Sequence, residues 1–150
     1  MAEQDVEHLL TLVSDAAGAF INGDMRRYAE LIRHTDDYTL MPPFGGDPVR
    51  GFDDSVESLA ATARWFTGGE ARVELVESYI SGDLAVLVVL EHNRGVVGGR
   101  PAQDWPLRVT LVFRREDGEW RLAHRQADIL LHRTDPDLAA ALARGTPPPM

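Results

Sequence analysis

The chain contains neither cysteine nor lysine. The first absence excludes disulfides, thiolate metal sites and cysteine nucleophiles. The second excludes Schiff-base chemistry and a lysine general base. All fifteen basic side chains are arginine, a bias expected of a GC-rich bacterial genome rather than of a demand for guanidinium. No apolar run approaches the roughly 20 residues of a spanning helix. Basic charge is in deficit, with a formal net charge of -9, so nucleic acid and anionic membrane surfaces are disfavoured as partners. Glu3, Asp5 and Glu7 stand where a secretory signal would be basic, and a cytoplasmic location is expected.

What is present suits one globular domain spanning 1–150, with a core over 5–131. Val6, Leu9, Leu10, Val13, Ala17, Phe20 and Ile21 recur at helical spacing, which predicts a helix over 3–21. Asn22-Gly23-Asp24 stops it, and Asp24 caps a second helix carrying Met25, Tyr28, Leu31 and Ile32. A short strand over 37–41 leads into a Pro- and Gly-rich loop around Phe44. A third helix follows Gly51, with Asp54 and Glu57 at capping-box spacing and Gly68-Gly69 as its end. Strands are predicted near 70–80, 84–94, 105–116 and 119–131, turning at Ser81-Gly82-Asp83 and Asp117-Gly118. A short last helix over 135–144 begins at Pro136 and ends at Gly145, leaving a loose tail over 145–150. Helices segregated from antiparallel strands mean an α+β fold. The natural packing is a curved antiparallel sheet wrapped on the N-terminal helices as a cone with one open end.

The last hairpin carries the strongest functional signal. Leu107, Val109, Leu111 and Phe113 alternate on its outgoing strand. The row begun by Trp120 and Leu122 on the return strand continues into His124, Gln126 and Asp128. If that row faces the core, a packing surface becomes the wall of a polar-ended cavity. Neighbours two apart on a strand share a face roughly 7 Å apart, so Gln126 or an adjacent strand must link His124 to Asp128. Ala123, Ala127 and Ile129 then lie on the opposite face, open to a second subunit.

This element order, with Asn22-Gly23-Asp24 between the first helices, resembles the nuclear-transport-factor-2-like superfamily. The stretch Val112-Phe113-Arg114-Arg115 through Trp120-Arg121-Leu122-Ala123 to His124-Arg125-Gln126-Ala127-Asp128 resembles its SnoaL-like branch. The resemblance covers 5–131 and implies a cone-shaped (cystatin-like) roll and a homodimer. It also shows departures. The tyrosine of ketosteroid isomerases would fall near Ala16, their base at Met41, and their second aspartate between Leu107 and Phe113. None is present, so steroid isomerisation by that machinery is excluded.

Two readings are open for His92 and Arg94. Either their row (Leu84, Val86, Val88, Leu90) is internal and Arg94 aims its fork into the cavity, or the strand emerges at Glu91 and both are solvated. Tyr38, Met41, Phe44, Trp65, Phe66, Tyr79 and Trp105 are the residues expected around the cavity mouth, and Trp120 belongs to the core. His8, His34, His92, His124 and His132 lack metal spacing, so neither metal nor cofactor is expected. The expected function is proton-transfer chemistry (isomerase, cyclase or dehydratase) on an apolar carbonyl-bearing metabolite. His124 would be the acid or base, oriented by Asp128 or Gln126, with Arg94 or Tyr38 steadying charge on oxygen. Ligand contacts would come from Tyr38, Met41, Phe44, Trp65, Tyr79, His92, Trp105 and Gln126. The alternatives are a ligand-binding or dimeric assembly domain without chemistry, and a subunit of a heterodimer.

Overall fold

The computed structural model describes residues 2–145; the tail expected beyond Gly145 lies outside them. Helix α1 (Ala2–Ile21) buries Leu9, Val13 and Ala16 on one stripe. It ends where Gly23 takes a left-handed φ of 71°. A side chain there would also strike the Phe66 and Ala63 carbonyl oxygens, so this turn seats α1 directly against the end of the third helix. Helix α2 (Met25–Leu31) is capped by the Asp24 carboxylate, which accepts from the Arg27 amide.

Helix α3 (Val56–Trp65) differs from expectation at both ends. Its cap is Ser55, accepting from the Ser58 amide, while Asp53 in turn accepts from the Ser55 amide. It stops at Trp65, and Gly68-Gly69 belong to the strand that follows. There Gly69 lies so close to Arg94 and Gly95 of the neighbouring strand that only a glycine fits.

Six strands form one curved, unclosed sheet in the order β2-β1-β6-β5-β4-β3. They are β1 (His34–Met41), β2 (Val49–Arg50), β3 (Phe66–Ser81), β4 (Leu84–Val97), β5 (Gln103–Glu116) and β6 (Glu119–Asp128). Strands β3 to β6 are the expected antiparallel meander. The addition is β1, longer than predicted, which pairs parallel to β6 and carries β2 at the sheet edge. Helix α4 (Pro136–Arg144) starts at an Asp135 cap and ends at left-handed Gly145.

Leu9, Val13, Tyr38, Leu87, Val89, Val109, Leu111, Phe113 and Leu122 pack into one core between α1 and the sheet. Two of the expected inward rows are reversed. On β4 the buried row is Ala85, Leu87, Val89, Glu91 and Asn93, so Leu84, Val86, Val88 and Leu90 face outward. On β6 the register slips: Leu122 pairs with Phe113, but His124 pairs with Val112. The extra residue, Ala123, is a bulge, and it exchanges the faces of everything after it. Arg125 and Ala127 therefore point inward, while His124, Gln126 and Asp128 point outward. Trp120 is half-buried at the core margin, with the Arg115 guanidinium 4.5 Å above its ring.

Candidate functional site

The concave side of the sheet, α1, α2 and α3 enclose a cavity of about 650 Å³. Val13, Ala16, Phe20, Ile21, Leu111, Phe113 and Leu122 give it apolar walls. Pro42, Pro43 and Phe44 line it from the loop after β1, and Phe44 meets Trp105 edge to face at 6.0 Å. The size is that of small-molecule sites, about 300–1,000 Å³.

Arg50, Asp53, Ser58 and Thr62 also line the cavity, and a buried polar group enters from four elements. Strand β4 brings Glu91, which is 4% exposed. Strand β6, after its bulge, brings Arg125, whose guanidinium makes a forked pair with Glu91 at 2.9 and 3.2 Å. Asn93 follows on β4, its amide donating to Glu91 at 3.4 Å and to the Trp105 carbonyl at 3.3 Å. Tyr28 from α2 and Tyr38 from β1 complete the group. A carboxylate this deep requires such pairing, because an isolated charge would cost several kcal/mol. Burial works against the charge on Arg125, but Glu91 and the two phenol oxygens outweigh it and hold the guanidinium protonated. Burial pushes the Tyr38 phenol up to about 12 and the Tyr28 phenol further still, so both keep their protons. Trp105 lines the cavity with its ring, while its indole N–H is sealed off and has no partner among the described residues. The arrangement is rich in donors with one paired carboxylate, which suits an apolar ligand carrying a carbonyl or anionic oxygen.

Of the residues singled out from the sequence for the site, Tyr38, Phe44, Phe66 and Trp105 line this cavity. The others do not. His124 lies on the outer sheet face, its Nδ1 2.7 Å from Thr39 Oγ1. Asp128, on the same outer row, accepts from Arg108 at 3.0 Å. Gln126 sits opposite Thr110 on that row. His92 meets Glu74 at 2.9 Å and Arg94 meets Asp104 at 3.0 Å, both on the outside of β4. Met41, Trp65 and Tyr79 are exposed, Tyr79 by 61%, at the end of β1, the end of α3 and the outer face of β3. Ala127 and Ile129, expected outside, are respectively buried and in the cavity wall.

Glu91, Asn93, Arg125 and Tyr28 escaped the sequence reading. One signal could have found the first two: Glu91 and Asn93 close the row Ala85-Leu87-Val89, which is as apolar as the row chosen instead. Arg125 depends on the bulge and left no local trace. Among the described residues no three histidine, aspartate or glutamate side chains converge as a metal site, and no helix is long and apolar enough to cross a membrane.

The pattern of the SnoaL-like domain matches residues 9–131. Several solved structures share the fold. An NTF2-like family protein of Streptomyces avermitilis, named as a candidate dehydratase, is 21% identical over 88% of this chain and 100% of its own, with a TM-score of 0.65. The CaMKII hub homology domain of Chlamydomonas reinhardtii is 16% identical over 84% of this chain and 98% of its own, with a TM-score of 0.62. An NTF2-like protein with a cystatin-like fold from Novosphingobium aromaticivorans is 21% identical over 95% and 89%, with a TM-score of 0.61. A search of curated proteins finds no match. At these identities the likeness shows the fold alone.

Proposed function

We infer the function of this chain from the family to which it belongs, the SnoaL-like domain family. Within that family it is a small-molecule protein whose ligand is apolar and carries a carbonyl or enolate oxygen. The chemistry the cavity supports is cofactor-independent proton transfer: isomerisation, cyclisation or dehydration. One observation carries the reading: the buried Glu91–Arg125–Asn93 group borders a mostly apolar cavity beside two protonated phenols. Tyr38 and Arg125 would hold the ligand oxygen. Glu91 would take a proton from the adjacent carbon, leaving the electron pair on that oxygen, and return the proton at another carbon.

The test is a thermal-shift screen of aromatic and alicyclic ketones, followed by deuterium exchange of the bound ketone's α-hydrogens. Tyr38→Phe is expected to weaken binding by roughly fivefold to tenfold, the worth of one hydrogen bond. Glu91→Gln is expected to stop the exchange while the ketone still binds. A second reading, ligand binding without chemistry, is favoured by the fact that Arg125 already holds both Glu91 oxygens. Binding without exchange in the unaltered protein would select it. Failure of every ketone to bind would sink both.

The outer sheet face, with Tyr79 and Leu84 exposed beside the half-buried Val86 and Val88, is the face on which we place a homodimer contact. The hub domain among the structural relatives, an assembly module by its name, is consistent with such use of the fold. Light scattering at micromolar concentration should give twice the chain mass; a monomer would remove this part of the reading.

A further inference from the structure

Behind the cavity lies a polar groove of about 430 Å³. Ile32, Gly51 and Phe52 border both spaces and form the wall between them. Two side chains meet through that wall. Tyr28 borders the cavity, His34 borders the groove, and Tyr28 Oη stands 3.3 Å from His34 Nε2. The imidazole is clamped in this orientation. It stacks on Phe52 with centroids 3.9 Å apart and planes 8° apart, and it meets the Tyr38 ring edge to face at 4.5 Å. Its other nitrogen, Nδ1, has no protein partner among the described residues. Nor is it one of the sealed unpartnered polar atoms, which are Thr35 Oγ1, Trp105 Nε1 and Arg121 Nε. Nδ1 is therefore open to solvent, and the groove is the open space the ring borders.

We propose that Tyr28 and His34 form a proton relay through the cavity wall, with Tyr28 as the group that exchanges a proton with the ligand oxygen and His34 as the residue that passes it to the groove. This rests on the reading of the cavity as a small-molecule site. The step balances without a further reactant. A ligand O–H bond breaks and its proton goes to Tyr28 Oη. The Tyr28 proton goes to His34 Nε2, and the His34 Nδ1 proton leaves to water in the groove. The reverse sequence delivers a proton. The histidine ends neutral in its other tautomer, so no charge is stranded in the wall. Burial favours this: it keeps His34 neutral at pH 7, with its pKa pushed down to about 4, and keeps the Tyr28 phenol protonated. The charged residues that line the groove together with His34 are Arg33, Asp36, Asp54, Glu119 and Arg121. On the cavity side the ring meets only the phenols of Tyr28 and Tyr38 and the Phe52 ring among its aromatic and hydrogen-bond partners.

Two measurements test the relay. The first uses ligand-free protein and nitrogen-15 NMR of the histidine rings. His34 is expected as the neutral tautomer with its proton on Nδ1, accepting from Tyr28 at Nε2, and Tyr28→Phe should change that tautomer. A ring that titrates like a surface histidine, or that ignores Tyr28→Phe, overturns the relay with no ligand involved. The second uses 2-naphthol, whose excited state is a much stronger acid than its ground state, and reads emission from the bound naphthol and naphtholate. The unaltered protein should show naphtholate emission. His34→Gln, which can still accept from Tyr28 but cannot carry a proton, should cut the naphtholate fraction by roughly tenfold with little change in affinity. Tyr28→Phe should do the same. An unchanged fraction in both variants overturns the relay alone. Failure of 2-naphthol and of every ketone in the screen to bind overturns the cavity reading, and the relay's role with it.

Discussion

Glu91→Ala is expected to lower the unfolding free energy by about 3–5 kcal/mol, the cost of leaving a buried guanidinium without its partner. Glu91 is 5% and Arg125 22% exposed at the side chain, so solvent screens the pair poorly. The variant strands the Arg125 charge beside two phenols whose oxygens cannot replace a carboxylate. It also frees the Asn93 amide from one of its two acceptors. For a chain of this size the midpoint should fall by roughly 10 °C or more, read by calorimetry. Arg125→Ala should cost a similar amount by stranding the carboxylate. The double variant Glu91→Leu with Arg125→Met should recover most of the loss, because an apolar pair of similar volume removes the desolvation penalty together with the attraction. If each single variant costs less than about 1 kcal/mol, the pair is hydrated like a surface ion pair, and the donor-rich wall described above does not exist.

Acidification from pH 7 to pH 5 should cost the protein about 2 kcal/mol through His34 alone, reaching about 3 kcal/mol by pH 4. The histidine is buried against Phe52 and Tyr38, and burial pulls its pKa from the ordinary 6.5 down to about 4. Between those values the unfolded chain holds a proton that the folded chain does not. Protons therefore favour unfolding there. The contribution is fully present above pH 6.5, and it is lost progressively as pH falls to 4. Urea unfolding at pH 7, 6, 5 and 4 measures it, and His34→Gln should flatten the profile across that window. Asp37, held down to about 2 by the Arg114 guanidinium, loses its own stabilising charge only below the window, so the two do not overlap. A profile equally steep in His34→Gln would mean that other groups carry the acid sensitivity.

Much of the architecture was legible because the local signals agree with one another. The helical spacing in α1, the Asn22-Gly23-Asp24 stop and the two strand turns each state one answer, and the structure has those elements in that order. The hairpin row Leu107, Val109, Leu111 and Phe113 alternates with polar neighbours at Arg108 and Arg114, so its inward face was decided by residue type. Trp105, at the start of that strand, fell into the cavity wall accordingly. The parallel pairing of β1 with β6 was not legible, since it joins segments some 85 residues apart with no turn to mark it.

Sequence alone determined the element order, the α+β class, the absence of cysteine and lysine chemistry, and the apolar character of the cavity. Tertiary structure decided which polar residues reach that cavity. Two facts placed that choice beyond local pattern. From Leu84 to Leu90 the β4 segment is apolar on both faces, so period-two alternation could not say which row was buried; packing against α1 and β5 chose Ala85, Leu87 and Val89. On β6 a single extra residue at Ala123 reversed every side chain after it, because strand faces alternate strictly. That one bulge sends His124 and Asp128 outward and Arg125 inward to Glu91.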